Sequence, residues 1–397
     1  MNPVRNSEPK QWSRSLISNG VKIVIAAEIF PPDIGGPATY SPKIAQALVE
    51  AGHQVSLICY SDKAQKDDYP FTVIRIIRSK FKLHYFKYYR QLKKLTADCD
   101  VIYAQGPVSS GWPALKVKKK LGKKFVVKVV GDYAWEQAQN FGLTKLGIDE
   151  FQSQKFGGKI GTLQKIERQV CQQADKVIVP SQYLKKIVVG WGVTENKIEV
   201  VYNAVDFIAV DPVVKSHEEN WLISVGRLVP WKGFETLISI TPDIIKDVDN
   251  FRLKIVGDGP EMKKLQLLVE KLELDNIVEL LGQKTRKDML AYVHAADLFI
   301  LNSGYEGLSH VLIEALGLGR PVLASNVGGN PEVIIPGETG DLFEYNNKEE
   351  IKNKVISFFK RGIMDKKLLL NDDRKYFFSR FEFAKMIKDT INVLESL

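Results

Sequence analysis

The sequence predicts an α/β protein with two doubly wound domains, each built on a parallel sheet. Short apolar runs alternate with stretches of helical spacing, as in parallel sheets covered by helices on both faces. This rhythm pauses once, at residues 203–220, where a proline and mixed charges occur, and then restarts. The length of 397 residues suits two domains of ordinary size.

The strands are predicted from apolar runs bounded by turn residues. In the first half they are VKIVIAA from Val21, QVSLICY, DVIYAQ, KFVVKVV and KVIVPS. In the second half they are WLISVG, FRLKIVG, IVELLG, DLFILN and PVLAS. A helix is expected from about Ala38 to Ala51, and Gly52 ends it.

These elements divide the chain into four segments. Residues 1–20 are polar and lack the apolar run of a signal peptide, so we expect a flexible tail. Residues 21–207 and residues 208–378 are expected to form two Rossmann-like domains. Residues 379–397 contain a helix, predicted from apolar positions at helical spacing.

Composition excludes several classes of protein. The 45% hydrophobic and 26% charged content is typical of a folded globular chain, and no window of about 18 apolar residues predicts a membrane span. Three separate cysteines and five histidines form no ligand cluster, so we expect neither a disulfide framework nor a metal site. The GxGxxG and GxxxxGK[ST] motifs are also missing from the sequence.

Two glutamates flank the junction between the strand DLFILN and the helix predicted after it. Glu306 lies in the loop and Glu314 in the second turn of the helix, for which Ser309 is the expected N-cap. Free N–H groups near Gly307, Leu308 and Ser309, with the helix dipole, suit a phosphate. The alternative is a pair of solvated surface glutamates. The position at a strand end favours a binding site.

Two cations occupy the matching turn at the start of the second half. Arg227 and Lys232 follow the strand WLISVG, and a guanidinium with an ammonium suits a diphosphate. Gly35 and Gly36, which follow VKIVIAA, would let the backbone approach a ligand closely. Gly257 lies in a similar tight turn after FRLKIV and is a candidate contact for a nucleotide base.

Taken in chain order, these motifs resemble those of the family 4 retaining glycosyltransferases, also called glycosyl transferases group 1. The motifs are Gly35-Gly36-Pro37, Asn203-Ala-Val-Asp206, Val-Gly-Arg227 with Lys232-Gly, and Glu306-x7-Glu314 with Gly-Arg-Pro-Val. The resemblance covers about Val21 to Leu397, and the Glu-x7-Glu block is its most specific part. It implies the GT-B architecture, in which two Rossmann-like domains face a central cleft.

The resemblance implies that the C-terminal domain binds a nucleotide-diphosphate sugar as donor. Arg227 and Lys232 would hold the diphosphate and stabilise the leaving group. Glu314 would bind the ribose hydroxyls. Glu306 and the amides of residues 307–309 would hold the donor sugar and its phosphate.

For the N-terminal domain, the resemblance implies binding of the acceptor. Gly35 and Gly36 would approach the diphosphate from this side of the cleft. The last helix, within residues 379–397, would cross back to the N-terminal domain. No metal and no other cofactor would be needed.

One position departs from the family pattern. Many members carry His-Asp after an N-terminal-domain strand, and the histidine approaches the donor sugar. Here the strand KFVVKVV leads into Gly131-Asp132, so the histidine is absent. Two interpretations of Asp132 remain open: it takes part in catalysis, or it only accepts hydrogen bonds from local backbone amides.

The first half of the chain is basic. Residues 1–207 hold 31 Lys and Arg against 18 Asp and Glu, whereas the whole chain has a net charge of +9. Two stretches, residues 78–95 and 116–124, carry most of the clustered cations. They are interpreted either as helices with a solvated basic face, or as a face that rests on an anionic membrane. No known nucleic-acid module surrounds them, so we expect no nucleic-acid partner.

The function expected from this resemblance is sugar transfer with retention, from a nucleotide-diphosphate sugar to a glycan or lipid-linked acceptor. The expected setting is cell-envelope or exopolysaccharide synthesis, in the cytoplasm or on the inner face of the plasma membrane. Two alternatives remain: an enzyme resembling nucleotide-sugar 2-epimerases, and a non-catalytic glycan- or lipid-binding protein on the same scaffold. The sequence leaves the sugar, the base and the oligomeric state open.

Overall fold

The computed structural model of the protein describes residues 20–33, 35–81, 83–205, 209–361 and 379–397. The predicted tail, residues 1–20, lies outside the described residues apart from Gly20. Residues 362–378 of the predicted second domain also lie outside them, and so does Asp206 of the Asn203 motif.

The described chain alternates strands and helices along its whole length. The strands are β1 (Lys22–Ala26), β2 (Gln54–Ser61), β3 (Thr72–Ile77), β4 (Val101–Ala104), β5 (Lys124–Lys128), β6 (Lys176–Val179), β7 (Ile198–Val200), β8 (Asn220–Val225), β9 (Phe251–Val256), β10 (Val278–Leu280), β11 (Leu298–Leu301), β12 (Val322–Ser325) and β13 (Gly340–Phe343). The helices are α1 (Gly36–Glu50), α2 (Leu83–Leu95), α3 (Gly111–Leu121), α4 (Tyr133–Asn140), α5 (Ile148–Ser153), α6 (Gly158–Gln173), α7 (Gln182–Gly190), α8 (Phe234–Ile244), α9 (Met262–Lys271), α10 (Arg286–Ala295), α11 (His310–Gly317), α12 (Lys348–Arg361) and α13 (Phe383–Glu395).

Two parallel sheets organise these elements. The first has the order β3-β2-β1-β4-β5-β6-β7 and the second the order β10-β9-β8-β11-β12-β13. Both sheets are doubly wound. The strand order reverses between β1 and β4 in the first sheet and between β8 and β11 in the second. In such sheets the crevice for a ligand opens at the carboxyl ends of those strands. The predicted fold class, two Rossmann-like domains of GT-B type, is confirmed.

The ten predicted strands all occur in the structure, but three further strands were not predicted. These are β3, β7 and β13, and they lie at or near the sheet edges. Strand β3 reads TVIRII, with an arginine inside it, β7 has three residues, and β13 begins with glycine. Edge strands need only one apolar face, so their apolar pattern is weaker than that of central strands.

Helices pack on both faces of the first sheet, and the last helix, α13, forms part of the layer on one face. Met386, Ile387 and Leu394 of α13 are buried in the same cluster as Ile44 and Leu48 of α1. The preceding residue Phe381 belongs instead to the core of the second sheet. The chain therefore passes from one domain to the other just before α13.

The helix within the first basic stretch, residues 78–95, buries only part of its apolar side. Tyr88 and Leu92 of α2 are fully buried, but Phe81 is 86% exposed and Tyr85 is also exposed. The helix begins at Leu83, and its first turn buries His84 against Tyr60 instead. Aromatic side chains at the start of this helix thus remain at the surface. None of the helices in the described part of the chain has the length and apolar character of a membrane span.

Candidate functional site

A cavity of about 610 Å³ lies between the two sheets, at the carboxyl ends of their strands. Eight residues that the sequence singled out line it: Gly35, Gly36, Arg227, Lys232, Glu306, Gly307, Leu308 and Glu314. They come from three strand-to-helix junctions and from helix α11, and both domains contribute. The cavity wall also includes Lys43, Gln105, Lys128, Glu136, Arg286, Tyr305 and His310.

Lys232 and Glu306 form an ion pair inside this cavity. The Lys232 ammonium donates a hydrogen bond to Oε1 of Glu306, with 2.5 Å between the atoms, and Ser303 Oγ donates to the same oxygen at 2.8 Å. Lys232 follows β8 and Glu306 follows β11, which are neighbours in the sheet. The topological reversal therefore brings together two residues that are 74 positions apart in sequence.

The residue after Lys232 is a glycine because a larger residue would not fit at position 233. Its φ of 58° is left-handed, and a Cβ there would lie 2.4 Å from the backbone oxygen of Asn302. Asn302 Nδ2 in turn donates to the Gly233 carbonyl at 3.0 Å. The turn that carries Lys232 is thus packed directly against the end of β11, where a side chain at position 233 would not fit.

Glu314 is paired with an arginine that sequence analysis missed. Arg286, the first residue of α10, donates from Nε and Nη2 to Oε1 of Glu314, at 2.9 and 2.7 Å. Burial raises the pKa of the Glu314 carboxyl, and the charges of Arg286 and Lys43 act against this rise. All three residues line the cavity, so this carboxylate is held in place beside two cations.

The start of α11 offers unpaired backbone donors. Ser309 caps this helix by accepting a hydrogen bond from the Leu312 amide, and it does not line the cavity. Within the described residues, no hydrogen bond uses the N–H groups of Gly307 and Leu308. Both residues line the cavity, and free amides ahead of a helix suit an anion.

Gly35 and Gly36 approach the cavity from the first domain. Gly35 has a φ of 152°, accessible to glycine because it lacks a Cβ, and it precedes α1. Gly307 lies opposite on the second domain, where a Cβ would come within 2.4 Å of the Val130 carbonyl oxygen. The two domains are therefore in close contact beside the cavity.

Two predicted contacts lie elsewhere. Gly257 does not line the cavity. Its φ is 145°, and a Cβ at this position would lie only 1.9 Å from the Gly226 carbonyl oxygen. It packs against the turn that carries Arg227, and tight packing between neighbouring loops also selects glycine. Its contact with a nucleotide base stays a prediction.

Asp132 caps a helix instead of facing the cavity. Its carboxylate accepts hydrogen bonds from the Trp135 amide at 2.7 Å and from Gln152 Nε2 at 2.8 Å. It is buried and is not part of the cavity wall. These contacts favour the second interpretation of Asp132, that of a residue bonded to local amides.

Glu136 stands beside the position where the family pattern has histidine. An added Cβ at Gly131 would lie 3.1 Å from Oε1 of Glu136 and 3.1 Å from the Tyr305 hydroxyl. Glu136 lines the cavity, and its carboxylate has no hydrogen-bond or ion-pair partner among the residues the structure describes. Burial, and next the charge of Asp132, raises the pKa of Glu136 to about 7, against the opposing charges of Lys232 and Arg227.

The sequence around Glu136 has no pattern that would mark this residue as part of a binding site. It lies in the first turn of α4 and resembles any acidic residue near a helix N-terminus. Lys128 and Gln105 were missed for a similar reason: they occupy the ends of apolar strands, where side-chain direction is set only by the sheet. Across the described residues, no group of three or more histidine, cysteine and acidic side chains is arranged to hold a metal ion.

Comparison with protein-family models matches nearly the whole described chain. The model described as Glycosyltransferase Family 4 matches residues 34–207, and the model described as Glycosyl transferases group 1 matches residues 209–374. The two models meet between the last strand of the first sheet and the first strand of the second.

Curated relatives carry related names. An uncharacterized glycosyltransferase of Methanocaldococcus jannaschii is 32% identical over 224 residues, 56% of this chain and 60% of that protein. The lipopolysaccharide core biosynthesis glycosyltransferase LpsD of Rhizobium meliloti is 32% identical over 42% of this chain and 47% of that protein. A human phosphatidylinositol N-acetylglucosaminyltransferase protein is 24% identical over 79% of this chain and 63% of its own length. Each of these three matches spans less than two thirds of the relative's own length.

Solved structures share the whole architecture. HepE of Anabaena, in complex with UDP-glucose, matches with a TM-score of 0.75 at 18% identity, over 95% of this chain and all of that one. Sucrose-phosphate synthase of Thermosynechococcus elongatus matches with a TM-score of 0.75 at 20% identity, over 95% of this chain and 98% of that one. At this identity the likeness establishes the fold.

Proposed function

Because this chain belongs to the family 4 glycosyltransferases of the GT-B fold, we propose that it transfers a hexose from a nucleotide-diphosphate sugar to a glycan or lipid-linked acceptor. The observation that carries the proposal is the convergence of Arg227, Lys232, Glu306 and Glu314 on one cavity between the domains. The N-terminal domain, residues 21–207, would bind the acceptor. The C-terminal domain, residues 208–378, would bind the donor.

The donor would lie along the wall formed by the second sheet. Arg227 and Lys232 provide fork-shaped and point-charge donors for the diphosphate, and the free amides of Gly307 and Leu308 provide further donors. Arg286 donates to Oε1 of Glu314, and we assign Oε2 of that carboxylate to the ribose hydroxyls. That UDP and UDP-glucose are bound in structures of HepE of Anabaena supports a donor of this class.

Transfer would proceed with retention of configuration. The bond between the anomeric carbon and the phosphate oxygen breaks, and its electron pair leaves with the nucleoside diphosphate. The acceptor oxygen forms its bond to the anomeric carbon on the same face, and its proton passes to an oxygen of the leaving phosphate. Arg227 and Lys232 would stabilise the negative charge that develops on the phosphate, an effect of about 3 kcal/mol for one preorganised donor.

Glu306 and Glu136 would face the transferred sugar from opposite domains. Glu306 is fixed by Lys232 and Ser303, so its remaining oxygen can accept from a sugar hydroxyl. Glu136 borders the space that a side chain at position 131 would occupy. Gly131 has no side chain to contact the sugar, and we assign that contact to Glu136. Carboxyl groups suit this task because their ionised oxygens accept strong hydrogen bonds from sugar hydroxyls, and a protonated carboxyl can donate one.

The acceptor is proposed to be linked to a membrane surface. Phe81 and Phe86 are exposed at the start of α2, within the basic stretch of residues 78–95. Exposed aromatic side chains among cations suit an interface with anionic lipid. The second basic stretch, residues 116–124, contributes less, because Lys118 pairs with Asp175. A role in cell-envelope or exopolysaccharide synthesis, at the inner face of the plasma membrane, follows from such an acceptor.

A ligand screen followed by product analysis tests the proposal. The thermal midpoint of the full chain would be measured with UDP, GDP, ADP and their hexose derivatives. A ligand at one hundred times its Kd stabilises the folded state by about 2.7 kcal/mol. The stabilising sugar nucleotide should then be cleaved, slowly to water and faster with an added glycan or lipid-linked acceptor. Absence of any stabilisation and cleavage would refute donor binding.

The same experiment separates the two alternatives. An enzyme of the 2-epimerase class would convert the donor sugar without an acceptor and release an isomer. A non-catalytic glycan- or lipid-binding protein would bind acceptor vesicles or glycans but leave every sugar nucleotide intact. The anomeric configuration of the product, determined by NMR, decides between retention and inversion.

A further inference from the structure

Lys128 is a buried cation in the wall of the cavity. It ends β5, is 3% exposed and lines the cavity. Its ammonium lies 3.6 Å from the centre of the Tyr40 ring. No acidic side chain in the described ranges pairs with it. Burying an ammonium without a counter-charge is strongly unfavourable, and burial lowers its pKa to about 7.

Gln105 places a buried donor next to Lys128. Its Nε2 atom lies near the Tyr103 hydroxyl but makes no hydrogen bond of normal geometry with a described residue, and the side chain lines the cavity. Strands β4 and β5 pair Ala104 with Val127, so Gln105 and Lys128 occupy the next two facing positions. A buried ammonium and a buried amide donor therefore stand side by side on the first domain. Buried polar groups are rarely left unpaired without a functional reason.

The surrounding groups favour an anion. Tyr40 of α1 contributes the face of its ring, which attracts a cation but carries no charge. His310, from the opposite domain, has its pKa lowered to about 4 by burial and then by the charge of Lys128, so it is neutral near pH 7. Among the described residues, the groups that face Lys128 therefore include no acid to compete with a bound anion.

We propose that Lys128 and Gln105 form an anion subsite for a phosphoryl group, on the opposite side of the cavity from Arg227 and Lys232. The subsite rests on the proposed function, because that function supplies the phosphoryl groups. Lys128 would donate one charge-assisted hydrogen bond and Gln105 a second, neutral one. The phosphoryl group belongs either to the nucleoside diphosphate of the donor or to a phosphate of the acceptor.

Binding of a phosphoryl group here would also bind a proton. At pH 8 most Lys128 side chains are neutral in the free protein, because the pKa is about 7. A bound anion raises that pKa and restores the charge. Ligand binding at pH 8 should therefore take up close to one proton, a readout that a purely structural role for Lys128 would not give.

Calorimetry of the full chain tests the subsite. UDP, GDP and ADP would each be titrated at pH 8 in two buffers that differ in ionisation enthalpy, because the difference in heat gives the number of protons taken up. We expect uptake near one proton in the wild-type protein. It should vanish in Lys128→Met, with a Kd raised about 10- to 100-fold. Lys124→Met, at the exposed start of the same strand, should behave as wild type.

Gln105→Leu provides a second variant that keeps Lys128. It should retain proton uptake but bind the nucleotide about 3- to 10-fold more weakly, as expected for one neutral hydrogen bond. Both variants would be checked for folding by circular dichroism. If Lys128→Met does not fold, loss of affinity in Gln105→Leu with proton uptake unchanged still supports the subsite.

Two arms distinguish the source of the phosphoryl group. Proton uptake with a nucleoside diphosphate identifies the donor. Uptake only when inorganic pyrophosphate is added to the nucleotide-saturated protein identifies a phosphate of the acceptor. Nucleotide binding with no proton uptake in either arm, and the same Kd in Lys128→Met, would overturn the subsite and leave the proposed function standing. Failure of the wild-type protein to bind any nucleotide would overturn the proposed function, and the subsite with it.

Discussion

Lys232 donates a hydrogen bond of 2.5 Å to Glu306, and this pair connects the ends of the two strands between which the second sheet reverses its order. The cation and the carboxylate therefore hold each other at the place where a doubly wound sheet binds its ligand. Each orients the other before any substrate is present.

Replacing Lys232 should impair the chemical step. Lys232→Ala removes a donor for the leaving phosphate and leaves Glu306 without its cation, so we expect kcat to fall about 100-fold or more. Steady-state kinetics of donor cleavage measure this. Lys246→Ala, which removes a solvent-exposed lysine paired with Asp243, is the matched control. A kcat within twofold of wild type in Lys232→Ala would contradict the role assigned to this lysine.

Replacing Glu314 should mainly weaken nucleotide binding. Glu314→Gln keeps the size of the side chain but removes the charge that pairs with Arg286 and accepts from ribose. We expect the Kd of the nucleoside diphosphate to rise about 10- to 100-fold, since hydrogen bonds to charged groups contribute about 1.5–3 kcal/mol. Isothermal titration calorimetry gives this value. Glu349→Gln, at the exposed start of α12, should bind as wild type. An equal Kd for both variants would refute ribose binding by Glu314.

Glu136 should make stability depend on pH in a specific direction. Its pKa in the folded protein is about 7, above the value near 4.3 of an unfolded glutamate. Between these values the folded state holds more protons, so its contribution becomes unfavourable as pH rises. Glu136→Gln should therefore be more stable than wild type, with a gain that grows from pH 4.5 to 7 and then stays constant, up to about 4 kcal/mol.

Urea unfolding at several pH values measures that gain. Glu338→Gln, in an exposed loop, is the control and should show a small difference that does not vary with pH. The buried Glu28 carboxyl, whose pKa is also raised to about 7, in part by Glu136, should titrate at a lower pH in the Glu136→Gln variant. A stability difference for Glu136→Gln that is flat with pH would show that this carboxyl titrates normally.

The start of α2 should decide binding to lipid. Phe81→Ser with Phe86→Ser removes two exposed aromatic side chains and no charge, so we expect co-sedimentation with anionic vesicles to fall about 10-fold or more. Phe141→Ser, an exposed aromatic residue in another loop, is the control. Raising the salt concentration should weaken wild-type binding, since screening reduces the cationic contribution. If co-sedimentation depended neither on lipid charge nor on the two phenylalanines, the membrane proposal would be refuted.

Strand and turn patterns alone predicted two doubly wound α/β domains, whereas the cleft between them and the return of the last helix were implied by the family resemblance. The central strands are continuous apolar runs, because both faces of a parallel sheet are covered. The edge strands β3, β7 and β13 were not predicted, because their apolar pattern is weaker. The same local logic located Arg227, Lys232, Glu306 and Glu314, because ligands bind where parallel strands end. Glycine positions were less informative: Gly35 and Gly36 line the cavity, whereas Gly257 serves packing between loops.

What the sequence by itself determined is therefore the order of elements and the loops that carry the site. Tertiary structure alone decided which side chains enter the cavity. Asp132 turns inward to cap α4, Glu136 occupies the wall beside Gly131, and Lys128 faces the cavity although it lies within an apolar run. The physical reason is that sequence spacing sets the direction of a side chain within its own strand or helix, whereas burial and charge depend on the elements that pack against it.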